Sequence, residues 1–126
     1  MLLLIKILTL WKFYSYIDMS STVTQLREQI EYPRAGVLSK VLVKDTACQY
    51  TLFCLAANTE ISEHTSTRNA TVNVLEGRGL LTLSGENIKL EPGVFVFMPA
   101  NAPHALQAES NLSFLLTLSE KVADIN

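Results

Sequence analysis

From Val37 to Ser119 the apolar residues come in short bursts cut by turn residues, with no long helical stripe among them. The bursts are VLSKVLVK, CQYTLFCLAA, EISEH, ATVNVLEG, GLLTLSG, NIKLEPG, VFVFMPA, PHALQA and LSFLLTLS. Between them stand Asn58-Thr59, Gly77, Gly79, Ser84-Gly85, Pro92-Gly93, Pro99 and Pro103. These residue types supply left-handed or fixed backbone angles for turns. Ser84-Gly85 reads as a two-residue hairpin turn. So many short strands in about 80 residues predict an all-β sandwich or barrel, closed so that few strand edges stay open.

The flanks differ. Thr22 to Glu31 suits either a helical turn or two or a lead-in strand, and Pro33 and Gly36 then break the chain. After Leu118 the tail is polar. The first eighteen residues, MLLLIKILTLWKFYSYID, are almost wholly apolar apart from Lys6, Lys12 and Asp18. They lack the basic start and small-residue cleavage site of a signal peptide. A spanning helix needs about 20 apolar residues without internal charge. Three readings stay open: an upstream extension with Met19 as the natural start, a segment that covers the barrel or a dimer partner, and a membrane anchor. The expected division is 1–18 apolar extension, 19–36 lead-in, 37–118 barrel and 119–126 polar tail.

Composition narrows the class. At 126 residues the chain fits one domain, and 48% hydrophobic against 17% charged residues describe a globular core. The ten basic residues are scattered and the net charge is -2, which argues against nucleic acid as a partner. Cys48 and Cys54 share one strand, roughly 20 Å apart when extended, too far for a disulfide. Reduced thiols suit a cytoplasmic address.

The chemistry centres on the two histidines, His64 and His104. Histidine is a common metal ligand and an acid/base near neutral pH. In an extended EISEHTS, alternation puts His64 and Ser66 on one face with Glu60, and Glu63 and Thr65 on the other. Glu60 would lie roughly 13 Å along the strand, out of reach of a shared ion. Arg68 sits in the loop that follows, at the expected barrel mouth, where it could meet a ligand carboxylate. Asn101 and Pro103 shape the turn before His104.

At these residues the chain resembles the cupin superfamily, from about Leu55 to Leu118, around half its length. The family's second motif is matched by Gly93, Pro99 and His104 at the family spacing, with Ala108 at the final Asn position. In the first motif His64 takes the first His position and Gly77 the closing Gly. Ser66 replaces the second His, Ala70 the Glu, and Asn58 the opening Gly. The chain is similar to small single-domain cupins that read EH-[ST]-S here and carry Ala for Glu. The resemblance implies a cupin-type double-stranded β-helix, a jelly-roll barrel forming a single domain. It also implies a ligand pocket around His64, Ser66, Ala70 and His104, with Arg68 at its mouth.

The family's usual metal set is three His and one Glu, of which only His64 and His104 remain. A divalent ion (Fe, Mn, Zn or Ni) held by those two alone would be bound weakly, so no cofactor is assigned. The expected function is therefore a small-molecule-binding cupin of unspecified ligand. The alternatives are a metal-dependent oxygenase, isomerase or decarboxylase, and a structural dimerisation domain in which both histidines are satisfied interior residues. Whether the chain is an enzyme stays open. A homodimer through outer strands and the N-terminal segment is expected, and a membrane role is not.

Overall fold

The computed structural model describes residues 21–121, so the readings of residues 1–18 and of the last residues of the tail lie outside the described part. Among the described residues one helical turn, α1 (Leu26–Gln29), precedes nine strands: β1 (Val37–Lys44), β2 (Cys48–Leu55), β3 (Glu60–His64), β4 (Asn69–Glu76), β5 (Gly79–Leu83), β6 (Glu86–Leu90), β7 (Phe95–Met98), β8 (His104–Ala108) and β9 (Leu112–Ser119). They form two antiparallel sheets, a five-stranded one in the order β1-β2-β9-β4-β7 and a four-stranded one in the order β3-β8-β5-β6. The expected all-β jelly-roll barrel is what the chain adopts.

Alternation drives the layering. Along β4 and β9 the residues Val72, Val74, Leu112 and Phe114 point inward, where they meet Leu81 and Leu90 from the facing sheet. Phe53 and Phe114 stack in this interior with ring centroids 5.3 Å apart. Turns fall where the sequence places them. Ser84 and Gly85 both take positive φ, 49° and 84°, which is the two-residue turn whose twist matches its strands. At Gly77 φ is 87°, and any Cβ would collide with the Asn111 carbonyl of a neighbouring loop. Asp45 closes the β1–β2 connection by accepting the Ala47 and Cys48 amides, each at 2.7 Å. Those two bonds, Cys48's the larger, hold its carboxyl below the ordinary carboxylate range.

A second apolar layer lies outside the five-stranded sheet. Residues 21–36 cross its outer face as a strap, seating Leu26, Ile30 and Tyr32 on Leu42, Leu52, Cys54, Leu75 and Leu115. The helix within the strap is one turn, because Gln25 supplies no side-chain cap and the backbone is extended again at Ile30. Three hydrogen bonds pin it. The Tyr32 hydroxyl donates to Glu76 Oε1 at 2.8 Å and, its one hydrogen used, accepts from Ser113 Oγ at 3.1 Å. Lys40 Nζ donates to the Gln29 carbonyl at 2.8 Å. Burial first, then the neighbouring Glu76 carboxylate, outweigh the Ser113 bond and push Tyr32 up to about 12. Cys54 is fully buried under the strap, and that burial raises its thiol. Cys48 and Cys54 are both free thiols on β2, as their shared strand predicts.

Candidate functional site

The two histidines meet edge to face across a strand pair. His64 is in register with His104 between β3 and β8. His104 shares its side of β8 with Leu106 and Ala108, both buried, so the pair looks into the barrel. The ring centroids are 4.2 Å apart and the planes are inclined at 63°. His64 is exposed and His104 half-buried, which places the pair at the barrel's open end.

A β-bulge sets this geometry. Ile61 pairs with Leu106 and His64 with His104, so three steps along β3 match two along β8. The extra residue corrects the alternation argument. His64 shares the inward face of Ile61, whereas Glu60 pairs with exposed Gln107 on the outer face. Glu60 is thus excluded from the site by side as well as by distance. The spacing held a clue that strict alternation discards: an apolar Ile three residues before an inward histidine needs one bulged residue between them.

Both imidazoles are tethered in the same way. His64 Nδ1 lies 2.9 Å from the Ser62 carbonyl, and His104 Nδ1 lies 2.9 Å from the Ala102 carbonyl. A carbonyl only accepts, so each Nδ1 carries the hydrogen. In the neutral ring each Nε2 then keeps its lone pair. No sequence signal marks these tethers, since they are main-chain atoms.

The remaining predicted residues divide. Ala70 lies on the inner face of β4, 3% exposed, in register with Met98 on one side and Leu118 on the other. Ser66 does not continue the strand. β3 ends at His64, and the Ser66 hydroxyl accepts the Arg68 amide at 3.1 Å while its carbonyl accepts from Asn101. The expected shared strand face of His64 and Ser66 therefore does not form. Arg68 is half-buried and faces the Glu120 carboxylate at 3.9 Å. A separate groove of about 450 Å³ lies between Glu60, Leu80 and Gln107 on the outer face of the four-stranded sheet, on the far side from the imidazoles.

The donor set does not fit a full four-ligand metal site. Ala70 offers a methyl group and Ser66 a neutral hydroxyl already in use. Among the described residues no three His, Cys, Asp or Glu side chains are grouped to hold an ion. A tight site takes three or four protein ligands.

A jelly-roll barrel with paired histidines at its mouth defines the class, and comparison with known proteins agrees. Residues 51–118 match the cupin domain family, to which the chain belongs. A conserved protein of unknown function from Streptococcus pyogenes is 30% identical, with a TM-score of 0.73 over 82% of this chain and 91% of that one. An uncharacterised protein of Aquifex aeolicus (strain VF5) is 37% identical over 59 residues, 47% of this chain and 49% of the relative, so the match spans about half of that protein's length. A salicylate 1,2-dioxygenase from Pseudoaminobacter salicylatoxidans, solved in complex with gentisate, is 25% identical with a TM-score of 0.64, covering 74% of this chain and 28% of that one. Among the described residues no helix is long and apolar enough to cross a membrane.

Proposed function

We propose that this cupin domain binds a small molecule at the barrel mouth between His64 and His104, without a tightly held metal. The observation that carries the reading is the pair of tethered rings. With each Nδ1 spent on a backbone carbonyl, the pair offers two Nε2 acceptors and no ring donor in its neutral form. The ligand that suits it brings O–H or N–H donors, and an apolar body to lie against half-buried Leu118. Ala70 in place of an acid removes the charge that would hold a cation.

A second reading is supported by the same nitrogens, because an Nε2 freed by an Nδ1–carbonyl bond is a prepared metal ligand. In that reading the chain is a metal-dependent enzyme. The experiment is a thermal-shift screen of the untagged protein against hydroxylated and amino metabolites and their methylated counterparts, run beside elemental analysis. Donor-bearing compounds should raise Tm, their methylated counterparts should not, and His64→Ala and His104→Ala should each abolish the shift. Stoichiometric transition metal that both variants lose would replace the binder reading with the enzyme. Shifts that survive both variants would place the ligand elsewhere.

A further inference from the structure

Two polar side chains on β2 point into the barrel and stand outside the histidine pair. Gln49, Thr51, Phe53 and Leu55 share the inner face of β2, with Phe53 and Leu55 in the barrel core. Thr51 is only 4% exposed and Gln49 is half-buried. Gln49 Nε2 donates to Thr51 Oγ1 at 3.2 Å, and among the described residues neither side chain has another hydrogen-bond partner. The two hold three polar hydrogens and spend one on each other. Turning the carboxamide over makes Thr51 the donor and again leaves two hydrogens over.

Topology sets this pair opposite the imidazoles. β2 and β3 lie in different sheets and are joined by residues 56–59 alone, so they face each other across the barrel. Thr51 lies four residues before the end of β2 at Leu55, and His64 four residues after the start of β3 at Glu60. Each is thus roughly 13 Å from the shared connection. Gln49 stands one inward position nearer the open end, and Leu118, in register with it on β9, continues the same wall. Among the described residues no hydrogen bond joins the two walls: the imidazoles bond only to the Ser62 and Ala102 carbonyls.

We infer that Gln49 and Thr51 form the donor wall of the ligand site, and that its ligand is a small hydroxy-carbonyl compound. The inference rests on the binder reading of the histidine pair. The neutral imidazoles present acceptors, so they take the ligand's hydroxyl hydrogen. The Gln49–Thr51 pair presents spare donors, so it takes the carbonyl oxygen. Hydrogen bonds are stronger away from water, and a buried donor left unpaired is costly, so this wall favours a ligand with a fixed acceptor. An alcohol satisfies one wall and a ketone the other. A molecule that carries both groups bridges them.

The test is a ligand-observed NMR titration of the untagged full chain with three probes of similar shape. Phenacyl alcohol carries both groups, phenethyl alcohol lacks the carbonyl, and acetophenone lacks the hydroxyl. Phenacyl alcohol should bind about tenfold tighter than either of the others, the worth of one hydrogen bond made inside a protein. Gln49→Glu keeps the side-chain size and accepts the Thr51 hydrogen, which leaves no spare donor on this wall. It should bring phenacyl alcohol down to the affinity of phenethyl alcohol and leave phenethyl alcohol itself unchanged. Gln49→Leu with Thr51→Val, which removes the donors without adding charge, should do the same. A pair that merely braces β2 would lower all three affinities together or none, and either result would overturn the inference. If His64→Ala weakens phenacyl alcohol and the β2 variants do not, the binder reading stands and the donor wall falls. If all these variants bind the probes like wild type, both fall. If wild type binds none of the three, the hydroxy-carbonyl inference falls, and the thermal-shift screen decides the binder reading by itself.

Discussion

Tyr32→Phe should loosen the strap while leaving the barrel intact. The hydroxyl makes two bonds that Phe cannot replace, to Glu76 at 2.8 Å and from Ser113 at 3.1 Å. The first ends on a carboxylate and is worth about 1.5–3 kcal/mol. Losing the second strands a Ser113 hydroxyl that is 0% exposed, at a further cost of about 1–3 kcal/mol. Glu76 is only half-buried and recovers part of its loss from water, so about 2 kcal/mol is the working figure. If that energy falls on strap opening, the open population rises about 30-fold, at 1.4 kcal/mol per decade. Cys54 reports it, because the thiol lies fully buried beneath Ile30 and Tyr32. In a Cys48→Ser background, its reaction with an aromatic disulfide should accelerate by about that factor, with little dependence on urea, as a local opening requires. An unchanged rate alongside a lowered Tm would refute the strap as a separately opening unit. The sign with pH is fixed too. Tyr32 is raised from 10.0 to about 12 in the fold, so its contribution is present below pH 10 and is lost as pH rises through about 12. Tyr32→Phe should lack that alkaline loss.

The other outcomes are more local. Gly77→Ala forces a Cβ at positive φ into the Asn111 carbonyl and should cost at least about 3 kcal/mol, read as a fall in urea midpoint at constant m-value. Asp45→Ala removes the one carboxylate oxygen that accepts two amides and whose bonding depresses the carboxyl, so wild type should be the more stable at neutral pH. That gap should close in thermal melts as pH falls below about 4, because the charged form that makes the bonds is then protonated. Ala70→Glu buries a carboxylate at a 3% exposed site and should lower Tm in metal-free buffer. Added zinc or manganese should recover it if residue 70 faces the two histidines, and recovery that persists in an additional His104→Ala change would count against that placement.

Strand number and turn positions were legible because alternation and turn chemistry are local. Ser84-Gly85 needs only its own backbone angles to announce a hairpin, and Asn58, at φ 68°, takes the left-handed angle where the family pattern has Gly. That His64 and His104 share one end of the barrel is what the resemblance to the cupin family implies, and their cross-strand register is visible only in the fold. What failed was strict period-two counting through EISEHTS. It broke at a bulge, a property of two strands together, and at Ser66, which turned to bond its own loop. Thr22 to Glu31 carries no strong cap or period, so its sequence suits the short α1 and a strand alike. The Tyr32–Glu76–Ser113 contact joins residues 44 and 81 positions apart. No local window of sequence holds that information.

The carbonyl tethers of the two imidazoles bear on how such a pocket drifts. A side-chain anchor disappears with one codon, but the Ser62 and Ala102 carbonyls persist under any substitution that keeps the main chain in place. Ring aim at this mouth is therefore written in the backbone, while the rest of the lining is written in replaceable side chains. A chain built this way can exchange its neighbours at positions 66 and 70 without disturbing the two nitrogens it still presents.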